Sequence, residues 1–168
     1  KPEDIKIVVL THLMYDHCAN AKLLPNAKFI VQSKELEYAN DPHPLFSGAY
    51  HAHLFEGLNF EIIDGDLQLE EGIDLIHTPG HSPGCQSVVV QTATGKTVIT
   101  GFCCVNENFE PKDSGAWVSD KSADVIPPGI HLDMQEAFNS AKRVKEIADK
   151  IITFHDSSLF HTGKQGNE

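Results

Sequence analysis

The sequence predicts a layered α/β fold, on two observations. Apolar runs rich in β-branched residues alternate with helical patterns at both ends of the chain. Between them, short strand patterns follow one another with turn signals in the gaps. In order, IKIVVL at 5–10 is nearly continuous in apolar residues and reads as a buried strand covered on both faces, running straight into Thr11 and His12. A short helix is expected from His17 to Leu24, stopped by Pro25, then a strand over KFIV at 28–31. Ser33 is placed to cap a helix running to about Asn40. The stretch 41–57, with prolines, glycines and aromatics, reads as a loop with broken helix that could wall a pocket. FEII, LQL, IDLI, SVVV and KTVIT, separated by DGD, EEG, TPGHSPG and TATG, predict an antiparallel or mixed sheet. Asp133 and Glu136 form a capping box for a late helix, whose apolar stripe is Ala137, Phe138, Ala141, Val144, Ile147 and Ala148. The short strand IITF then leads into His155 and Asp156. Residues 1–168 read as one domain.

Composition narrows the function. Hydrophobic residues make up 40% of the chain, enough for a real core, and 24 acids against 13 Lys and Arg give a net charge of −11. That balance opposes nucleic-acid binding, which needs cations to neutralise phosphates. There is no basic amphipathic helix suited to anionic membranes and no apolar run of transmembrane length. KPEDIK at the start does not resemble a signal peptide. Cys18, Cys85, Cys103 and Cys104 contain no CxxC pair, so free thiols and a cytoplasmic location are expected.

Ten histidines direct attention to metal or acid–base work. Three segments share one arrangement, an apolar strand followed at once by histidine: IKIVVLTH, IDLIHTPGH and IITFHD. In layered α/β folds the loops after strand ends gather reactive residues. His12, His17, His81 and His155 are therefore candidates to converge, with Asp16 and Asp156 beside them. Imidazole with carboxylate suits zinc, iron, manganese or cobalt. Any one of these histidines alone would more often be a hydrogen-bonded loop residue, and Asp16 could simply cap a helix; the group makes the metal reading the stronger one. His77, just before the TPGH turn, is the best placed of the others to support a ligand from behind or to fill packing space. The remaining histidines are assigned to surface or pocket wall.

These residues carry a resemblance. THLMYDH at 11–17, TPGHSPGCQS at 78–87, ENFE at 107–110 and FHD at 154–156 resemble the metallo-β-lactamase superfamily of hydrolases. Within it they look most like the N-acyl homoserine lactone lactonases. The likeness spans essentially the whole chain, and TPGHSPG after a histidine-rich loop is its most specific part. It implies a four-layer αββα sandwich. It also implies two metal positions, the first held by His12, the residue at position 14 and His81, the second by Asp16, His17 and His155. One or two ions per chain are expected, zinc first, with iron or manganese as alternatives.

The sequence departs from that pattern twice. Met14 stands where the family has a histidine. After the strand KTVIT the family has an aspartate that bridges the metals; here the segment reads TGFCCVNENFE, with Gly101, Phe102 or Cys103 at that place. Of these three, Cys103 can ligate, and a thiolate beside a cation would be deprotonated. Cys104 and Glu107 are fallbacks. Family members also have a substantial segment before the first histidine loop, whereas here that loop begins at residue 11. The expectation is a chain that lacks the N-terminal strands of the fold. Exposed strand edges would then invite pairing or a homodimer.

The function expected from the resemblance is hydrolysis of a small-molecule ester-like bond, a lactone or thioester, by metal-activated water, with Asp16 as the catalytic carboxylate. The stretch 41–60 and the region around Trp117 are the expected substrate walls. Because two metal-site residues are replaced, a non-hydrolytic metal-binding or redox protein on the same scaffold stands as the alternative.

Overall fold

A computed structural model of the chain describes residues 1–111 and 124–156. Its strands fall into two sheets. β1 (Ile7–Val9), β2 (Lys28–Gln32) and β3 (Phe60–Ile63) form a parallel sheet in that order. β4 (Leu67–Glu70), β5 (Ile73–His77), β6 (Gln86–Thr92) and β7 (Gly95–Ile99) form an antiparallel meander, extended by β8 (Lys150–Ile152) parallel to β7. The strand FEII, grouped by local pattern with the hairpins, thus belongs to the first sheet. Parallel pairing needs a crossover of a dozen or more residues. The stretch between β2 and β3 supplies one, with α2 (Ser33–Asn40) and α3 (Ala52–Phe55) in it.

Three local expectations change. β1 is an edge strand, and Ile7 is 45% exposed rather than covered on both faces, because among the described residues β1 pairs on one side only. The helix expected at 17–24 is a single turn, α1 (Tyr15–Cys18), with a separate 3-10 turn at Ala21–Leu23. It starts early because the Met14 carbonyl accepts the amides of His17 and Cys18. Ser33 does not cap α2 but is its first residue, preceded by Gln32. The Gln32 side chain instead bonds across to the second sheet. Its amide nitrogen donates to the Gly65 carbonyl and to Gln86 Oε1, and its oxygen accepts from the Gly65 amide. The late helix forms as expected, α4 (Met134–Ile147), and the Asp133 carboxylate accepts the Glu136 amide.

Each sheet has its own apolar core. Phe29 and Val31 of β2 pack with Leu13, Tyr50 and Phe55 under the first sheet. Ile76, Val89 and Val98 pack with Ala141 and Val144 of α4 under the second. Full burial of each large side chain contributes about 1.5–3 kcal/mol. The two sheets meet through Gln86. Its backbone amide donates to the Thr11 carbonyl, and its buried side chain donates to the carbonyls of Leu10 and Ile30. This sets the end of β1, where the first histidine loop begins, against the start of β6, where the second one ends. No described helix is long and apolar enough to cross a membrane.

Candidate metal centre

The four strand-end histidines do converge. His12 follows β1, and His17 lies on α1. His81 sits in the turn between β5 and β6, and His155 follows β8. The ring centroids of His12 and His17 are 3.9 Å apart, those of His12 and His81 4.7 Å, and those of His17 and His155 5.6 Å. Asp16 Oδ2 lies 3.4 Å from His17 Nε2 and 3.8 Å from His155 Nε2. Among the described residues, Asp16, His17 and His155 form a set of three whose ligand atoms all lie within 4.8 Å of one another.

Two features test whether a cation fits. Among the described residues, the buried Nε2 of His17 makes no hydrogen bond, with Asp16 Oδ2 3.4 Å away. Buried polar groups are normally paired, so an unpaired imidazole nitrogen beside a carboxylate is what a metal ligand looks like without its ion. The second feature is the His12–His81 pair. His81 Nδ1 donates to the Ile130 carbonyl at 2.8 Å, which leaves its Nε2 with a lone pair. That nitrogen faces His12 Nε2 at 3.3 Å. Either the His12 ring carries its proton there, or a cation joins two lone pairs. The chemistry of the donor set fits a divalent ion at Asp16, His17 and His155, and leaves two nitrogens for a second position.

Burial sets the protonation of these rings. It lowers His12 and His81 below the usual imidazole range, with neighbouring histidines adding to the effect. His17 falls to about 4, through burial first and the histidines at 155 and 81 after it, although Asp16 pulls the other way. Neutral rings at neutral pH are the form that binds metal.

The three residues that could have stood for the family's aspartate separate cleanly. Phe102 is buried in the second core. Gly101 is pressed against backbone: a Cβ there would lie 1.7 Å from the Gln86 carbonyl oxygen and 2.9 Å from Thr11 Cβ. Its amide is held by Ser87 Oγ at 3.0 Å. Cys103 lines the pocket, with burial and then the Asp16 charge pushing its thiol up. It is not in the set formed by Asp16, His17 and His155. Of the fallbacks, Cys104 is buried in the second core, its thiol pushed up to about 12 by burial, and Glu107 is exposed. Asp156 accepts the Asn106 amide at 2.9 Å and so holds the 105–108 turn.

Around these residues lies a pocket of about 220 Å³. His12, Asp16, His17, His81, Cys103 and His155 give its polar side. Met14, Tyr15, Phe46, Ala49 and Ile130 give the wall. Met14 both lines the pocket and belongs to the first core. Phe46 and Ala49 come from the stretch expected to wall a pocket; Trp117, named with it, lies outside the described residues, as does His161. His77 braces the second histidine turn: its Nε2 bonds the Pro83 carbonyl, and Arg143 bonds both its carbonyl and Asp66. Sequence reasoning missed Ile130 as a lining residue, and could raise Tyr15 as a phenol from another side without placing it in the pocket. It also missed Glu35 and Gln86, whose buried polar side chains carry no local signal.

Comparison with known proteins decides the family. Residues 1–146 match the model of the metallo-beta-lactamase superfamily. The chain belongs to this superfamily. It is 32% identical over 162 residues to an N-acyl homoserine lactonase of a Bacillus species, covering 93% of this chain and 58% of that protein. Among solved structures it is similar to a variant of Bacillus thuringiensis AiiA with N-decanoyl-L-homoserine bound at the active site (TM-score 0.75, 28% identity, 96% of this chain and 60% of that one). It is equally similar to an N-acyl homoserine lactone hydrolase with the product N-hexanoyl-L-homoserine at its catalytic metal center (TM-score 0.75, 28% identity, 96% and 60%). The mixed α/β architecture is that of the superfamily, and the chain spans about three fifths of the length of these relatives.

Proposed function

We propose that this chain carries the metal centre of a hydrolase that opens an ester-like bond in a small molecule, a lactone first and a thioester second. One ion is held by Asp16, His17 and His155. The carrying observation is the buried, unpartnered His17 Nε2 beside Asp16 and His155 in the pocket. When bound, an ion of the zinc type, with iron or manganese as alternatives, would supply Lewis-acid chemistry, activating water at neutral pH and polarising a carbonyl.

The chain's own residues then have separable roles. Asp16, with 36% of its side chain exposed, can both ligate and accept a proton from a water at the mouth of the pocket. His17 and His155 both bring Nε2 to the same oxygen of that carboxylate. Met14, Phe46, Ala49 and Ile130 exclude water from the side where an acyl group would lie. That apolar wall suits an N-acyl lactone, the class named for the relatives, better than a polyphosphate. Cys103 at the rim of the set is retained as a further candidate ligand.

Metal analysis of protein purified without added metal tests this reading. One tightly held equivalent per chain, with lactone hydrolysis abolished in His155→Ala, is the expected result. The presence of two sulfur side chains, Met14 and Cys103, in the pocket favours a second reading, a non-hydrolytic metal-binding or redox protein. Full metal occupancy without turnover of any lactone or thioester would select it.

A further inference from the structure

We propose that Glu35 is the positioning residue of this centre. One buried carboxylate would set the two histidine loops at their working separation and tie the pocket wall to them; this rests on the metal reading above.

Glu35 sits in the first turn of α2 and is fully buried. Its partners come from three separate segments. Oε1 accepts the Leu13 amide at 2.9 Å and the Tyr50 hydroxyl at 3.2 Å, and Oε2 accepts the Ser82 hydroxyl. The Gly84 backbone bonds it as well. Leu13 is the residue after His12, and Ser82 the residue after His81. The carboxylate therefore joins the two loops one residue away from the two rings whose Nε2 atoms face each other at 3.3 Å. Tyr50 closes the stretch that brings Phe46 and Ala49 to the pocket, and the Ala49 carbonyl accepts the Tyr15 amide at 2.8 Å.

The chain accommodates this carboxylate closely. A Cβ at Gly84 would lie 2.1 Å from the Glu35 backbone nitrogen, so the second histidine loop rests directly on the first turn of α2. Burial pushes the Glu35 carboxyl up, although the bonds from Ser82, Leu13, Tyr50 and Gly84 each pull it down. A buried carboxyl costs stability that an apolar residue would not. An ionised carboxylate accepts from all four groups at once. Two of them are backbone amides, which cannot reverse their role, while the two hydroxyls can. The bonds of Glu35 among the described residues go to Leu13, Tyr50, Ser82 and Gly84 and not to the rings of His12 or His81, which makes it a positioning group rather than a catalytic one.

The experiment compares Glu35→Gln, Ser82→Ala and Tyr50→Phe with Val98→Ala, a packing change in the second core at a residue that makes no bond to Glu35. Zinc affinity is measured by competition with a chromogenic chelator, and thermal unfolding on chelated protein. Glu35→Gln and Ser82→Ala are expected to weaken zinc binding by about 10- to 100-fold, the range for groups that orient ligands. Val98→Ala is expected to lower the unfolding midpoint with affinity unchanged. Tyr50→Phe should leave affinity within about threefold and raise KM for an N-acyl lactone. Unchanged zinc affinity in both Glu35→Gln and Ser82→Ala, with lowered midpoints, would make Glu35 a stability residue and overturn the proposal. If the unaltered protein takes up no zinc, the metal reading falls on its own. The positioning role is then read from the ring nitrogens by NMR: His12 and His81 signals shift in Ser82→Ala while His155 stays, or the proposal is overturned.

Discussion

The two halves of the centre differ in what holds them. Asp16 and His17 share one turn of helix and meet His155 across the pocket, so that a carboxylate and two imidazoles form a compact set. His12 and His81 follow strands of different sheets and face each other as a pair, with the Met14 thioether lining the same pocket. Of the three positions that could stand for the family's aspartate, Gly101 is closed by backbone, pressed onto Gln86 and Thr11, Phe102 is buried in the second core, and Cys103 lines the pocket. Both halves start from the same loop after β1, where Thr11 Oγ1 lies within 3.5 Å of Nδ1 of both His12 and His17, so what separates them is the donor set each collects rather than separate supports.

Removing a ligand from each half is the harshest test of that difference. Asp16→Ala should cost the tightly held equivalent, with metal affinity and lactone hydrolysis both falling by at least about 100-fold. His12→Ala should cost about 10-fold or less in affinity for the same ion. Equal losses, measured by metal analysis after dialysis, would mean that the centre works as one unit and that the contrast fails.

A restoration experiment sharpens the contrast from the other side. Met14→His returns an imidazole to the weaker half and should allow a second equivalent at raised zinc concentration. Adding Gly101→Asp should not strengthen it. The new Cβ would lie 1.7 Å from a backbone oxygen, so the chain must shift. Overpacking of this kind costs about 1–3 kcal/mol or more, read as a lower unfolding midpoint. A double variant that binds two ions tightly at an unchanged midpoint would show that the gap reopens freely.

Acid should act on both halves through their rings. Burial holds His17 at about 4, and His12 and His81 below their ordinary value of 6.5. The unfolded chain then binds more protons than the folded one between the lowered and ordinary values. Stability from these rings is therefore complete above about pH 6.5 and is lost as pH falls below it, at up to about 1.4 kcal/mol per pH unit per ring. For His17 the loss levels off near 4. Glu35 works in the opposite sense, since its raised carboxyl favours the folded state more as pH falls. Denaturant unfolding of chelated protein between pH 7.5 and 5 should show a net decline, and a flat profile would mean that the rings are hydrated in solution.

The sequence displayed the histidine loops better than the scaffold beneath them. Histidine directly after an apolar run is a local pattern, so His12, His81 and His155 could be read without knowing which strands pair. That β3 pairs in parallel with β2 could not be read, because pairing across so long a crossover leaves no mark on a short strand. Glu35 was hidden for a related reason. In SKELEYAN a glutamate looks like one more solvated helix residue, and its burial depends on Leu13 and Ser82 arriving from elsewhere. Gln32 and Gln86 are likewise ordinary amides until two sheets meet over them. The displaced N-cap shows the same limit in miniature: Ser33 has the right side chain, but the helix begins at it rather than after it.

The smallest effect expected is at Cys103, and it bears on whether sulfur has joined the stronger half. The thiol lines the pocket, yet burial and the Asp16 charge both push its proton affinity up, and it lies outside the set of Asp16, His17 and His155. A bound cation would act in the reverse direction, because a thiol beside a divalent ion loses its proton. The two situations give different results for one substitution. If the ion rests on Asp16, His17 and His155 alone, Cys103→Ser should change zinc affinity by less than about threefold, since it exchanges one small polar group for another at the rim. If the thiolate completes the coordination, the same change should cost about 10-fold or more, release one proton fewer on zinc binding, and remove the thiolate-to-metal absorption seen with cobalt in place of zinc. Proton release and the cobalt spectrum do not depend on turnover. They would separate a sulfur-free centre from one in which Cys103 stands in for the missing carboxylate, even in a chain that hydrolyses nothing.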